Sequence, residues 1–498
     1  MSLRVPCYLK KSCRLICKFV ILHVVLKKIK QIFIIYLAVF SCINSDEEPL
    51  VDTLGTKSFW AVDVFNAENE YYQVQAIFAG ETEHAIAYVE VTSDVDIEKV
   101  EDVLHTFENH IIKVINPVFG EPYYIGTEKK ITFLFLDIKD GFETIEDPFF
   151  GGYFNPMNYV LDADAIKYAD GARSNERAML YLDTYPTVLG SKFLLSVLTH
   201  EYQHLLNFSE DYRAYNRGID NFEEVWVNEG MSQVASDIAG YGPQIDKLFE
   251  FENTAGNSLI KWDDNLTDYA NAYVYFRYLY DIYGSNIFYE ITSSGFAGIE
   301  GVNNALQSMQ DVNLIDYCSN VYHLTYPEFD CSYRFLYASL YNLNSAGLTV
   351  QSGSTSSSTN FLQVPLGYEF SLKTNEFFLK PLAGAVSNKY IEPYSFVPLV
   401  KQAGTSPSIS GAGVYNFTQM YHADDSNFII YNHDHNPEAG ASFVSISASQ
   451  SSELTLNKLQ ASSDEKSQLK EKLKKTSSSY NARYLHIPIN KKLLKNNR

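Results

Sequence analysis

Two kinds of hydrophobic pattern organise the first two thirds of the chain. Apolar and polar residues alternate over 59–92 ("FWAVDVF", "YYQVQAIFAG", "AIAYVEV"), which predicts β-strands. An amphipathic helix is predicted at about 97–116, and buried strands are predicted at 129–138 and 178–183. Strands that come first and helices that follow predict an α+β domain, which we place at 59–345.

Helical spacing of apolar residues dominates the second half of this domain. "SVLTHEYQHLLNF" (196–208) and "EEVWVNEGMSQVASD" (223–237) each predict a helix. "DYANAYVYFRYLYDIYG" (268–284) predicts another and begins a tyrosine-rich helical stretch that reaches residue 345.

A different composition follows the helical part. Residues 346–360 belong to a Gly/Ser/Thr stretch without apolar periodicity and are predicted to form a linker. Short apolar runs separated by turn residues predict a small all-β domain, a β-sandwich, over 361–455. Residues 456–498 read as a basic tail. In the β part, His433 and His435 are either a second metal site or solvent-facing histidines in a turn.

Charge is distributed unevenly along the chain. Its 498 residues carry a net charge of −21, yet the first 42 residues contain no acidic residue and the last forty or so are also basic. The folded middle is therefore more acidic than the total suggests. Such a body argues against nucleic acid as a partner.

The segment "KKIKQIFIIYLAVFSC" (27–42) reads as an export signal. A lysine-rich start precedes an apolar run of about ten residues, too short for a stable membrane-spanning helix. The ending resembles a bacterial lipoprotein signal, with a relaxed lipobox because of Phe40, and makes Cys42 the lipidated residue. We thus predict a leader at 1–42, with true initiation near Leu26 or Lys27, a tether at 43–58 and a lipid anchor in the membrane. Cleavage by an ordinary signal peptidase, with free secretion, and an uncleaved anchor are the alternatives.

Cysteine usage agrees with export. Four of the six cysteines lie at or before Cys42, which leaves Cys318 and Cys331 in the mature body. They form either one disulfide or two buried free thiols.

Two histidines four positions apart carry the candidate chemistry. On an α-helix, His200 and His204 share one face and can bind one metal ion. Glu201 projects beside that face, where a carboxylate can take a proton from a metal-bound water. The alternative is an amphipathic helix with two surface histidines, because H-E-x-x-H fixes only three positions.

A third ligand is expected, because a catalytic zinc takes three protein ligands and keeps one open position. Glu229, in the N-E-G triplet, lies far enough downstream for a second helix to return beside the first. Small residues after it allow a close approach. Glu229 alternatively only favours a helix N-terminus, and Glu223 and Glu224 are weaker ligand candidates.

These motifs resemble those of a known family. H-E-x-x-H followed by N-E-G is the gluzincin pattern, and five blocks occur in the order of the hyicolysin family of bacterial secreted metallopeptidases: "FENHIIKVINPVFGEP", "FGGYFNP", "NERAMLYLDTYP", "HEYQHLLNF" and "EVWVNEGMSQVASD". The resemblance covers about 66–345. It implies a gluzincin-type domain with one catalytic Zn²⁺ bound by His200, His204 and Glu229, and Glu201 as the general base.

The resemblance also suggests an oxyanion donor and contains one departure. The block at 268–284 is similar to the helix that carries a catalytic tyrosine in aminopeptidase-type gluzincins, which matches Tyr269, with Tyr273 as the alternative. In thermolysin-like enzymes, an aspartate four positions after the glutamate ligand orients a zinc histidine. Here that position is Gln233, whose carbonyl could serve instead; Asn228 and Asp237 are other substitutes.

The resulting prediction is an exported zinc endopeptidase that acts on extracellular or envelope proteins. An aminopeptidase is one alternative, but the chain lacks a convincing acidic block for a free α-amine, such as G-x-M-E-N. A surface binding or adhesin module without turnover is the other, and the intact H-E-x-x-H speaks against it.

Overall fold

The computed structural model describes residues 55–311, except 66–69, 145–146, 168–170, 220 and 254–256, and it describes 326–340. Beyond residue 340 it describes the backbone of several short strands and Tyr394. Cys42, Cys318, His433 and His435 lie outside the described residues, as do the leader and nearly all of the tail. The predictions that rest on them stay predictions.

A six-stranded mixed sheet forms the amino-terminal half of the described domain. The strand order is β1-β2-β3-β4-β7-β6. The pairs β3/β4 and β4/β7 are parallel and the other three are antiparallel. The six strands with their bounds are β1 Thr56–Val62, β2 Tyr71–Glu81, β3 Ala85–Glu90, β4 Ile131–Leu136, β6 Gly152–Phe154 and β7 Met179–Asp183, and the short strand β5 Phe149–Phe150 lies outside this sheet.

The central strand β4 shows how the sheet is buried on both faces. All six residues of "ITFLFL" are buried. Phe133 and Phe135 join the core cluster that includes the helices, whereas Leu134 and Leu136 join a second cluster with residues of β1 and β2. Successive side chains of a strand point to opposite faces, so both faces are covered here. The buried strand predicted at 129–138 is confirmed.

Helices make up the rest of the domain, which confirms the α+β class. The amphipathic helix predicted at about 97–116 is present, with a π-helical turn at Phe107–Ile111 between α1 and α2. The helices are α1 Ile97–Thr106, α2 Ile112–Phe119, α3 Asp162–Ala165, α4 Lys192–Asn216, α5 Val225–Ile238, α6 Ile245–Asn253, α7 Leu266–Tyr283, α8 Asn286–Ser293, α9 Gly298–Ser308 and α10 Pro327–Leu340, and a 3₁₀ turn spans Pro156–Tyr159.

Gly230 permits the close packing of α5 against α7. A Cβ atom added at this glycine would lie 2.2 Å from Cδ2 of Phe276 on α7. Any larger residue would therefore push the two helices apart. The predicted close approach was that of α5 to the H-E-x-x-H helix, so this contact with α7 does not test it.

Beyond α10 the structure describes strands of three further small sheets. Their strand orders are β11-β14-β13-β8-β9, β10-β15-β12 and β16-β5, and in the last of these β16 pairs in parallel with the short strand β5 of the amino-terminal half. Strand β8 lies inside the segment predicted as a linker, and the boundaries of the predicted β domain stay predictions. The strands are β8 Leu348–Ser354, β9 Asn360–Val364, β10 Lys389–Ile391, β11 Ser395–Val400, β12 Ser408–Ser410, β13 Asn416–Tyr421, β14 Asn427–Asn432, β15 Ser442–Ser447 and β16 Ala482–Arg483.

Two further observations bear on the predicted export. None of the helices in the described part of the chain has the length and apolar character needed to cross a membrane. Cys331, in α10, is disulfide-bonded. Disulfides persist mainly in oxidising compartments, so this bond agrees with an exported protein.

Candidate metal centre

Helix α4 brings both histidines of H-E-x-x-H into the protein interior. Ser191 caps the helix, since its side chain accepts a hydrogen bond from the backbone N–H of Leu194. His200 is fully buried and His204 is only 6% exposed. The alternative of two surface histidines is therefore wrong. Their Nε2 atoms lie 2.9 Å apart, so both rings point at one place.

Glu229, on α5, completes a buried set of three donor atoms. Its Oε2 lies 3.3 Å from Nε2 of His200 and 3.4 Å from Nε2 of His204. Two ligands of a tetrahedral zinc, each about 2.1 Å from the ion, are about 3.4 Å apart. The size of the triangle and its nitrogen and oxygen donors thus fit a zinc ion. The carboxylate of Glu229 is fully buried and points at the two histidines, and does not lie at the surface as a charge that only favours a helix N-terminus would.

The two imidazoles have different protonation tendencies. Burial, helped by His204, lowers the pKa of His200 to about 4, which keeps this ring neutral as a metal ligand must be. Burial also acts to lower the pKa of His204, but the carboxylates of Glu229 and Glu201 outweigh it and raise that pKa. The carboxylates thus favour a positive charge, whether a proton on His204 or a metal cation, at the position where the donor atoms converge.

Glu201 lies next to the donor set and is fully buried. Neither carboxyl oxygen makes a hydrogen bond of ordinary geometry with the described residues. Burial raises the pKa of Glu201 to about 8, against opposing effects of His204 and of the backbone N–H of Phe154. A carboxyl group in this state can both accept and release a proton near neutral pH.

The edge strand β6 is pressed against α4 beside Glu201. A Cβ atom on Gly151 would lie 2.9 Å from Cγ2 of Val197 on α4, and one on Gly152 would lie 2.9 Å from Cγ1 of the same valine. These two glycines of "FGGYFNP" therefore let the strand approach the helix closely. An edge strand can hold an extended peptide by backbone pairing.

The residue that contacts the outer nitrogen of His204 is Ser232, which the sequence analysis missed. Its Oγ lies 2.9 Å from Nδ1 of His204. Gln233 does not take this part, because its buried amide makes no hydrogen bond with the described residues. Asn228 lies close enough to raise the pKa of His204. The spacing in the sequence could have indicated this contact, because Ser232 is three positions after Glu229 and lies on the same face of the helix.

Asp237, the other suggested substitute, is engaged elsewhere. Its Oδ2 lies 2.5 Å from the guanidinium of Arg277 and accepts a hydrogen bond of 2.8 Å from Tyr273. Glu223 and Glu224 also have other partners: Glu223 accepts from the backbone N–H of Gly298, and Glu224 accepts from the indole of Trp226. None of these three acids belongs to the set of converging donors.

The two tyrosine candidates occupy different surroundings on α7. The hydroxyl of Tyr269 donates to Asp264 at 3.0 Å. Burial, followed by the charges of Glu229, Asp264 and Glu201, raises the pKa of Tyr269 well above its usual range. Tyr269 thus remains a proton donor near the charged site. Tyr273 instead bonds to Asp237 and to the backbone of Gln244.

Comparison with known proteins agrees with a metal-dependent hydrolase. The chain resembles a metalloprotease. Over 271 residues it is 28% identical to the neutral metalloprotease ShpI of Staphylococcus hyicus. The match covers 51% of this chain and 58% of that protein, so the chain spans little more than half of this relative's length. No protein-family model matches the chain. The similarity supports a metallopeptidase, whose active site needs a metal ion.

Proposed function

We propose that the chain is a zinc-dependent endopeptidase of the gluzincin type, similar to the hyicolysin family. The observation that carries the proposal is the buried triangle of His200, His204 and Glu229 with Glu201 beside it. Similarity to a neutral metalloprotease supports it. The substrates would be proteins or peptides outside the cell or in its envelope.

The side chains divide the chemistry among themselves. A bound zinc ion supplies Lewis-acid polarisation of the scissile carbonyl. Glu201 accepts a proton from the attacking water and later gives it to the amine that leaves. The edge strand β6 aligns the extended peptide by backbone pairing. Tyr269 donates a hydrogen bond to the oxyanion. To do so, its hydroxyl gives up the hydrogen bond to Asp264.

Peptides with and without a free amino terminus test the endopeptidase proposal. An endopeptidase cleaves an N-acetylated peptide internally, whereas an aminopeptidase requires the free α-amine. We therefore expect internal fragments from acetylated peptides by mass spectrometry, and loss of cleavage on chelation that is reversed by zinc. Stepwise removal of amino-terminal residues would identify an aminopeptidase instead. Absence of any cleavage would point to a binding module.

Tyr269→Phe is expected to lower kcat by roughly 10²–10³-fold, the usual loss for one oxyanion donor. Zinc content should stay unchanged, since the tyrosine is not one of the donors. Tyr273→Phe is the matched control on the same helix: it removes the hydrogen bond to Asp237 and should lower stability while kcat stays close to wild type. Equal kcat losses in both variants would contradict the assignment of Tyr269.

We also propose export with a lipid anchor at Cys42. The lysine-rich start, the apolar run and V-F-S-C support it. Wild-type protein expressed in bacteria should incorporate labelled fatty acid and fractionate with membranes, and Cys42→Ser should abolish both. A wild-type protein that takes up no label and accumulates in the medium would be freely secreted.

A further inference from the structure

Ser232 connects the two helices that carry the donor atoms. It is fully buried on α5, and its Oγ has three polar neighbours. These are Nδ1 of His204 at 2.9 Å, the carbonyl oxygen of Asn228 at 2.9 Å, and Oε1 of Gln203 in a very short hydrogen bond. Gln203 and His204 are adjacent on α4. Ser232 therefore contacts both helices of the site at once.

The number of available protons determines the direction of these hydrogen bonds. A serine hydroxyl carries one proton and two lone pairs. The Asn228 carbonyl and the Gln203 amide oxygen are both acceptors, so the hydroxyl gives its proton to one of them. It then faces His204 as an acceptor. Nδ1 of His204 is then the donor to Ser232, which leaves Nε2 as the ring nitrogen available to a metal ion.

We propose that Ser232 is a positioning residue that fixes the tautomer and the ring orientation of His204 for zinc binding. The inference rests on the proposed zinc site. In this proposal a serine hydroxyl has the orienting role that an aspartate has in thermolysin-like enzymes. Gln233 and Asp237 do not take that role, because the amide of Gln233 makes no hydrogen bond with the described residues and Asp237 pairs with Arg277.

A neutral partner suits the electrostatics of this interior. Glu201 and Glu229 are both fully buried. A third buried carboxylate beside His204 would add repulsion and desolvation cost. The hydroxyl of Ser232 orients the ring without adding charge.

The test compares Ser232→Ala with Ser236→Ala. Ser236 lies one turn farther along α5, is also buried, and donates to the carbonyl of Ser196 on α4 at 2.8 Å. It thus makes an equivalent contact between the helices without touching a histidine. Zinc dissociation constants would be measured by competition with a chromophoric chelator. Loss of a partner to a metal-binding histidine commonly weakens metal binding about 10–100-fold, so we expect that loss in Ser232→Ala and none in Ser236→Ala.

Each outcome decides the inference. If wild type and Ser232→Ala bind one zinc with equal affinity, Ser232 has no positioning role and the proposed function still stands. An equal loss in Ser236→Ala would assign the effect to helix packing and overturn the inference. A wild type that binds no zinc overturns the proposed function together with it. If Ser232→Ala does not fold, Ser232→Cys, whose sulfur is a weaker acceptor, must bind zinc more weakly than wild type.

Discussion

Glu201→Gln is expected to abolish peptide hydrolysis while zinc content stays at the wild-type level. The substitution keeps the size of the side chain and removes the group that accepts the proton from water. Glu201 is beside the donor set and is not one of the three donors. The expected loss of kcat is roughly a thousandfold or more. It would be measured with a quenched fluorescent peptide, with zinc per chain determined on the same samples.

The matched control for this variant is Glu210→Gln. Glu210 lies on the same helix and is paired with Arg213 at a distance of 2.6 Å near the surface. Both side chains of this pair are partly exposed, and Glu210 is not one of the converging donors, so this variant should keep its activity. Near-normal turnover by Glu201→Gln would exclude Glu201 as the base.

Glu229→Ala is expected to lose both zinc and hydrolysis. Two histidines alone leave the site one ligand short of a catalytic zinc set. A ligand that binds only the folded state stabilises it, by about 4 kcal/mol at a thousand times its dissociation constant. Zinc should therefore raise the unfolding temperature of wild type, and a chelator should reverse the gain. The variant should unfold at the same temperature with zinc and with chelator.

Glu224→Gln serves as the control for the third ligand. Glu224 contacts the indole of Trp226 and lies outside the donor triangle, so zinc content should not change. Full zinc occupancy in Glu229→Ala would show that the third ligand is another group. Glu223 and Glu224 would then be tested next.

The local features of the fold could be predicted because they depend on spacing along the chain. Alternation marked the strands between 59 and 92, buried apolar runs marked β4 and β7, and helical periodicity marked α4, α5 and α7. The spacing of H-E-x-x-H placed both imidazoles on one face of α4, and they lie 2.9 Å apart. The meeting of Glu229 with them is a long-range contact. The motif N-E-G was informative because it followed H-E-x-x-H at a suitable distance.

The features that sequence reasoning missed depend on neighbours across helices or strands. In the sequence, nothing distinguishes Ser232 from the other small residues of α5, and only the structure shows its contact with His204. Strand β8 was assigned to a linker because Gly, Ser and Thr are frequent around it, yet it pairs with β13, far away in sequence. The π-helical turn at Phe107–Ile111 left no visible mark in the apolar periodicity.

The donor atoms are divided between α4 and α5, and this division affects how long the intact chain persists in solution. Without its ion, the folded state loses the stabilisation that a ligand held between the two helices provides, so the helices separate more easily. Local opening of this kind exposes cleavable backbone. Copies that still hold zinc would then digest copies that have lost it. Partial chelation should consequently cause self-digestion that accelerates with protein concentration, whereas complete chelation should preserve the intact chain.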